Sequence, residues 1–213
     1  MRVCLASTSP ARLALLRQAG IEPLTQAPDV DEDAVRAAAE AERGAKLPAD
    51  ELVVLLGTAK ARAVAAQLRR EQPGFEGLVI GGDSMFAIDG TVYGKPHTAE
   101  RARERWHAMR GRTGILHSGH AAILLRTGEE PAEVVAHAEA SVTFAADVSD
   151  AEIEAYIASG EPLNVAGAFT VDSLGGPFIT RVEGDPSTVV GMSLSTLRQM
   201  ARTLGVTWTD LWN

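Results

Sequence analysis

Apolar and polar positions along this chain follow two periods, and the change between them marks the elements. The continuous apolar run Val3-Cys4-Leu5-Ala6 predicts a buried strand over Arg2–Ala6. From Ser9 to Ala19 the apolar positions Leu13, Leu16 and Ala19 share one helical face, Pro10 suits the first helical position, and Gly20 is a natural stop. A short segment, Ile21–Ala27, leads to the acidic turn Asp29-Val30-Asp31-Glu32-Asp33, and Ala34–Arg43 reads as a solvated helix. Lys46–Asp50 reads as a loop with local flexibility. Glu51–Arg70 reads as a long helix with Leu52, Leu55, Leu56, Ala59, Ala63, Ala66 and Leu68 apolar and Lys60 and Arg62 within it.

After Pro73-Gly74, Leu78-Val79-Ile80 predicts a buried strand ending on Gly81-Gly82-Asp83. A second short strand, Ser84–Ile88, follows up to the Asp89-Gly90 turn. Thr98 caps a predicted helix over Ala99–Met109, and Ile115–Leu125 and Glu133–Phe144 predict antiparallel strands. Ser149-Asp150-Ala151-Glu152 is a capping box opening a helix over Ala151–Ser159. The glycine-rich section from Gly160 to Gly184 holds one or two strands, including Phe178–Val182, and Leu194–Thr203 is the last helix. Helices alternate with strands early and a hairpin follows, so the class is α/β with a mixed sheet. At 213 residues this is one domain or two closely joined lobes.

Charge narrows the partners. The formal net charge of −8 argues against a nucleic-acid polymer, but a local cluster of cations could still hold a small anion. No stretch approaches the roughly 20 apolar residues of a membrane span, so no membrane partner is expected and the reading is a soluble protein of a reducing compartment. The single cysteine, Cys4, reads as a small core residue. The five histidines follow no firm metal-ligand spacing, and no serine sits in a G-x-S-x-G elbow.

Four stretches carry candidate chemistry. Leu5-Ala-Ser-Thr-Ser-Pro-Ala-Arg12 feeds a strand into a helix N-terminus, where unpaired N–H groups, the Ser7 and Ser9 hydroxyls and the Arg12 fork suit phosphate. The same residues also read as an ordinary capped helix with Arg12 in solvent. Asp83, after two glycines at a strand end, could hold a divalent cation or accept a proton from water, or simply end a strand. Gly94-Lys95-Pro96 aims one ammonium from a stiff loop. Asp31-Glu32-Asp33 offers the oxygen ligands Mg²⁺ takes, although such runs are more often solvated turns. Around Asn164–Thr170 small residues permit close approach of a ligand, with Phe169 available for stacking, and Tyr156 with the helix around it is a candidate interface.

In this order the motifs resemble the Maf family of nucleoside triphosphate pyrophosphatases, also called septum-formation proteins. The resemblance spans nearly the whole chain. It rests on Ser7-Thr-Ser-Pro-Ala-Arg12, Val30-Asp31-Glu32, Ala59-Lys60-Ala61, Gly82-Asp83-Ser84, Gly94-Lys95-Pro96, Gly111-Arg112-Thr113 to Ser118-Gly119, Tyr156 to Pro162, Ala166-Gly167-Ala168-Phe169 and Gly184-Asp185 to Val190-Gly191. It implies a single Maf-like domain over residues 1–213, with a mixed twisted sheet, helices on both faces and two lobes around a nucleotide cleft, as in inosine-triphosphatase-like folds. It also implies a cytoplasmic homodimer that uses Mg²⁺ or Mn²⁺ to hydrolyse a nucleoside triphosphate to the monophosphate and pyrophosphate, house-cleaning the nucleotide pool.

By that resemblance Asp83 is the proton acceptor and a metal ligand, Glu32 assists the metal, and Ser7, Ser9, Arg12, Lys60 and Lys95 hold the triphosphate. Family members acting on dTTP and UTP carry arginine, threonine and glutamine where this chain has Ala11, Ser84 and Asp172. The branch preferring 7-methyl-GTP shares only the acidic residue. An acidic Asp172 accepts hydrogen bonds and suits the N–H donors of guanine, which points to a purine-like or broad substrate. The alternative function is a non-catalytic nucleotide-binding regulator of cell division, for which Asp83 would have little use. A phosphatase releasing inorganic phosphate is separable only by product analysis.

Overall fold

The computed structural model describes residues 1–212. The strands are β1 (Arg2–Ala6), β2 (Leu24–Thr25), β3 (Gly77–Ile88), β4 (Thr91–Tyr93), β5 (Thr113–Leu125), β6 (Ala132–Phe144) and β7 (Ile179–Gly184). The helices are α1 (Pro10–Gln18), α2 (Glu32–Arg43), α3 (Ala49–Glu71), α4 (Ala99–Met109), α5 (Asp150–Ala158), α6 (Pro186–Val190) and α7 (Leu194–Thr203). They build a mixed α/β fold on a seven-stranded sheet of order β2-β1-β3-β5-β6-β7, with β4 paired to β3. Two compact units divide it: residues 1–83, 118–138 and 191–212 form the first, and residues 84–117 and 139–190 the second.

In the first unit β1 pairs in parallel with β3, Ala6 lying opposite Gly81, and with β2. Its core is built from two periods meeting. Cys4 and Ala6 on β1, Val79 on β3 and Ala121, Ile123 and Leu125 on β5 share a cluster with Ala61, Val64, Ala65 and Leu68 of α3. Spacings of two on strands and of three and four on a helix are what one sheet face against one helix face requires. The alanines let α3 lie close to the sheet. Burial pushes the Cys4 thiol up to about 11, as expected of a core cysteine.

In the second unit the core is aromatic. Trp106 of α4 meets Phe144, Tyr156 and Phe178 edge-on at 5.4–5.6 Å between ring centroids, and its indole N–H donates to the Ala168 carbonyl at 2.8 Å. Phe169 is buried in the same cluster, 5.0 Å from both Phe86 and Phe144. The stacking role read for Phe169 is therefore corrected, because its ring is committed to the core. Tyr156 itself is likewise buried, with its hydroxyl donating to Glu161, so its side chain is withdrawn from the expected interface.

Most element boundaries agree with the pattern within two residues, and β1, α4 and α7 coincide with it. The two strands expected over residues 78–83 and 84–88 are one strand, β3. Gly81 and Gly82 do not break it, because they serve close packing rather than a turn. A Cβ on Gly81 would lie 2.5 Å from the Gly57 carbonyl oxygen and 2.8 Å from Ala61. The turn expected at Asp89-Gly90 is present, both residues having positive φ (47° and 76°), which suits a tight hairpin. The expected loop over residues 46–50 is shorter, since α3 begins at Ala49 behind Pro48. Residues 161–178 hold three 3₁₀ turns and no strand before β7. Among the described residues no helix is long and apolar enough to cross a membrane.

Candidate active site

The candidate residues of the first unit come from four elements. Ser7 follows β1 and Ser9 caps α1, accepting from the Arg12 N–H at 3.4 Å. The Ser7 hydroxyl accepts from the Ser9 N–H at 3.1 Å and from the Arg12 guanidinium at 3.3 Å. Arg12 is only 9% exposed, so the solvated-arginine reading of this turn is excluded. Its Nε donates to the Gly191 carbonyl at 2.8 Å. Burial lowers its pKa, and the nearby charges of Asp83 and Glu32 oppose that. A buried arginine facing two carboxylates is an anchored cation, held to one geometry by its planar fork.

Lys60 and Asp83 owe their meeting to glycine contacts. Gly57 of α3 lies so near β3 that a Cβ there would sit 3.2 Å from Gly82 Cα and 3.3 Å from the Asp83 nitrogen. Three residues on, Lys60 falls on the same helix face. Its ammonium, on an 8% exposed residue, reaches Asp83 Oδ1 at 2.7 Å and Glu32 Oε1 at 2.9 Å. Glu32 opens α2 behind the N-cap Asp31, whose carboxylate accepts from the Ala34 N–H at 2.9 Å. The acidic run is thus divided by role. Asp31 caps, Asp33 pairs with exposed Arg36, and Glu32 joins Lys60.

Two carboxylate oxygens within 3 Å of one nitrogen converge on a common point. That point is the Lys60 ammonium, and carboxylate oxygens are also the ligand type that a hard divalent cation such as Mg²⁺ or Mn²⁺ takes. Ser7, Ser9, Arg12, Glu32, Lys60 and Asp83 therefore gather in one place, and Ala11 is a half-buried neighbour of Arg12 in α1.

The remaining candidates belong to the second unit. Lys95 is exposed beside buried Pro96. Its loop is tied at both ends: the Gly94 carbonyl accepts from the Gly167 N–H at 3.3 Å and from Arg105, and the His97 N–H donates to the Leu163 carbonyl at 3.0 Å. Ser84 is half-buried in β3, and Asp172 is exposed in the loop before the 3₁₀ turn Gly176–Phe178. Sequence reasoning missed Gly191 as the partner of Arg12, since no local signal joins positions 179 apart. It also missed Glu161, which takes hydrogen bonds from the loop carrying Asp172.

Comparisons agree with the motif order. Residues 2–204 match the family model described as Maf-like protein. A protein of Leifsonia xyli subsp. xyli named nucleoside triphosphate pyrophosphatase is 66% identical over 213 residues, covering 100% of this chain and 97% of that one. A protein of the same name from Corynebacterium efficiens is 48% identical over 212 residues, covering 100% and 99%. A solved structure, a nucleoside-triphosphatase/dITP/XTP pyrophosphatase from Mycobacterium abscessus, is similar only at 14% identity and a TM-score of 0.34, over 96% of this chain and 97% of that one.

Proposed function

Because the chain belongs to the Maf family, we propose that it is a nucleoside triphosphate pyrophosphatase. In this reading water attacks the α-phosphorus, the bond from that phosphorus to the α–β bridging oxygen breaks, and the products are the nucleoside monophosphate and pyrophosphate. The observation that carries it is the convergence of Arg12, Lys60, Glu32 and Asp83 at the phosphate-suited turn after β1. The 66% identical relative, which bears the name of this activity, adds to it.

Each residue has a task that follows from its setting. The charge that develops on the leaving pyrophosphate must be neutralised, and fixed cations in a partly dry site do this best. Arg12, pinned by Gly191 and Ser7, supplies a fork for phosphate oxygens without first losing side-chain freedom. Lys60 adds a point charge from α3, and Lys95, on its clamped loop in the second unit, is given a phosphate-holding role by the family resemblance. The Ser7 and Ser9 hydroxyls line the turn where a phosphate would meet the start of α1. Asp83 accepts the proton of the attacking water. Glu32 and Asp83 would hold the divalent cation, which supplies further charge neutralisation on the phosphates when bound. Ala11, Ser84 and Asp172 are proposed to set base preference, with acidic Asp172 favouring a base that donates N–H bonds. Nucleotide-pool cleaning, a cytoplasmic location and a homodimer belong to the same proposal, supported by the family.

The test is a turnover screen with Mg²⁺ or Mn²⁺ across canonical and modified nucleoside triphosphates, with pyrophosphate and inorganic phosphate read separately. Equimolar pyrophosphate and monophosphate are expected. Nucleotide binding without turnover would transfer the reading to a regulator.

A further inference from the structure

The loop that follows α5 is organised around one carboxylate. Glu161 Oε1 accepts from the Tyr156 hydroxyl at 2.9 Å, from the Thr170 hydroxyl and from the Gly175 N–H at 3.3 Å. Oε2 accepts from the Ser173 hydroxyl at 2.7 Å and from the Leu174 N–H at 3.4 Å. The Tyr156 hydroxyl also accepts from the Thr170 N–H at 3.2 Å, which closes the ring of contacts. Asp172, Ser173 and Leu174 between these anchors are exposed. An exposed loop tip is thereby held at both ends by a single side chain.

All five partners of Glu161 are donors. Hydroxyls can rotate to suit a new neighbour, but backbone N–H groups cannot. Each carboxylate oxygen receives one such fixed N–H, from Gly175 on Oε1 and from Leu174 on Oε2. A glutamine there would face an N–H with its own amide nitrogen whichever way it flipped. The position therefore demands an acceptor-only carboxylate. Burial would raise the Glu161 carboxyl, but hydrogen bonds from Ser173, Thr170 and Tyr156 outweigh it and hold the group below its ordinary range.

We infer that Glu161 is the positioning residue of the base-selecting loop: its carboxylate, anchored by five donors, sets where Asp172 is presented and so governs base preference. Glu161 acts through the loop and takes no part in phosphate chemistry. The inference rests on the proposed nucleotide hydrolysis and deepens it.

The experiment is steady-state kinetics of wild type, Glu161→Gln and Ser173→Ala with GTP, ATP, UTP and dTTP in Mg²⁺, with folding followed by thermal unfolding. Losing a fixed acceptor that orients a binding loop should raise KM for the preferred base about tenfold, with kcat within about twofold. The ranking of the four bases should flatten. Ser173→Ala, on an exposed residue, should move KM in the same direction by about threefold. A Glu161→Gln enzyme with wild-type KM and base ranking overturns the inference. So does a uniform loss of kcat with the ranking intact, since that marks a purely structural carboxylate. If Glu161→Gln does not fold, an unchanged KM and ranking in Ser173→Ala overturns it instead. Absence of turnover in the wild type refutes the functional reading itself, and this inference with it.

Discussion

Replacing Gly81 with alanine isolates the contact that brings Lys60 to Asp83. The added Cβ would stand 2.5 Å from the Gly57 carbonyl oxygen, about 0.9 Å inside ordinary contact, and 2.8 Å from the Ala61 nitrogen and Cβ. The obstructing atoms are backbone and a helix Cβ, none of which can rotate aside, so α3 itself must move. Overpacking of this kind costs typically 1–3 kcal/mol, and we expect about 3 kcal/mol here. For a chain of this size 1 kcal/mol shifts Tm by about 2–4 °C, which puts Gly81→Ala about 6–12 °C below wild type. Gly82→Ala is the control. Its Cβ would meet the Gly119 carbonyl oxygen at 3.1 Å, a misfit of tenths of an ångström, worth about 1 kcal/mol. Calorimetric unfolding of both variants measures the difference, and pyrophosphate release should fall further in Gly81→Ala because α3 carries Lys60. A Gly81→Ala protein melting within about 2 °C of wild type, or above Gly82→Ala, would refute the account of α3 docking.

Lys60→Met keeps the aliphatic stem and removes the charge that joins Glu32 and Asp83; kcat/KM should fall about 10²-fold or more with the far-UV circular dichroism retained. Cys4, 1% exposed and with its thiol raised to about 11, should resist a thiol reagent at pH 8 until the chain is unfolded in denaturant. The Glu161 carboxyl lies below its ordinary 4.5 in the folded chain, so its stabilisation is fully present above that pH and is lost as pH falls through the folded value. The stability difference between wild type and Glu161→Gln, measured in urea, should therefore shrink on acidification below about pH 4.

What was legible in the chain followed from local rules. The Ser9, Thr98 and Ser149 caps and the strand at Arg2–Ala6 lie where short-range pattern and capping chemistry place them. The glycines of β3 misled because a glycine pair reads equally well as a strand end or as a close approach, and only the helix against it decides. Phe169 misled for a related reason, since an aromatic beside small residues can stack on a ligand or fill a core, and Phe86 and Phe144 claim it. The cluster of Ser7, Arg12, Glu32, Lys60 and Asp83 was foreshadowed by motif order. Its geometry was not, because the Arg12–Gly191 contact joins distant segments and Lys60 reaches Asp83 through helix packing rather than spacing. Glu161 lay inside the Tyr156–Pro162 motif of the resemblance, but nothing in the sequence marked what its carboxylate does. A single glutamate after a helix looks solvated until five donors are seen to meet on it.

The most direct measurement compares wild type with Asp83→Asn in Mg²⁺, with pyrophosphate, inorganic phosphate and nucleoside monophosphate quantified from one reaction. The account predicts equimolar pyrophosphate and monophosphate from wild type and a loss of about 10²–10⁴-fold in kcat for a folded Asp83→Asn. Inorganic phosphate as the first product, or a variant as fast as wild type, would contradict it.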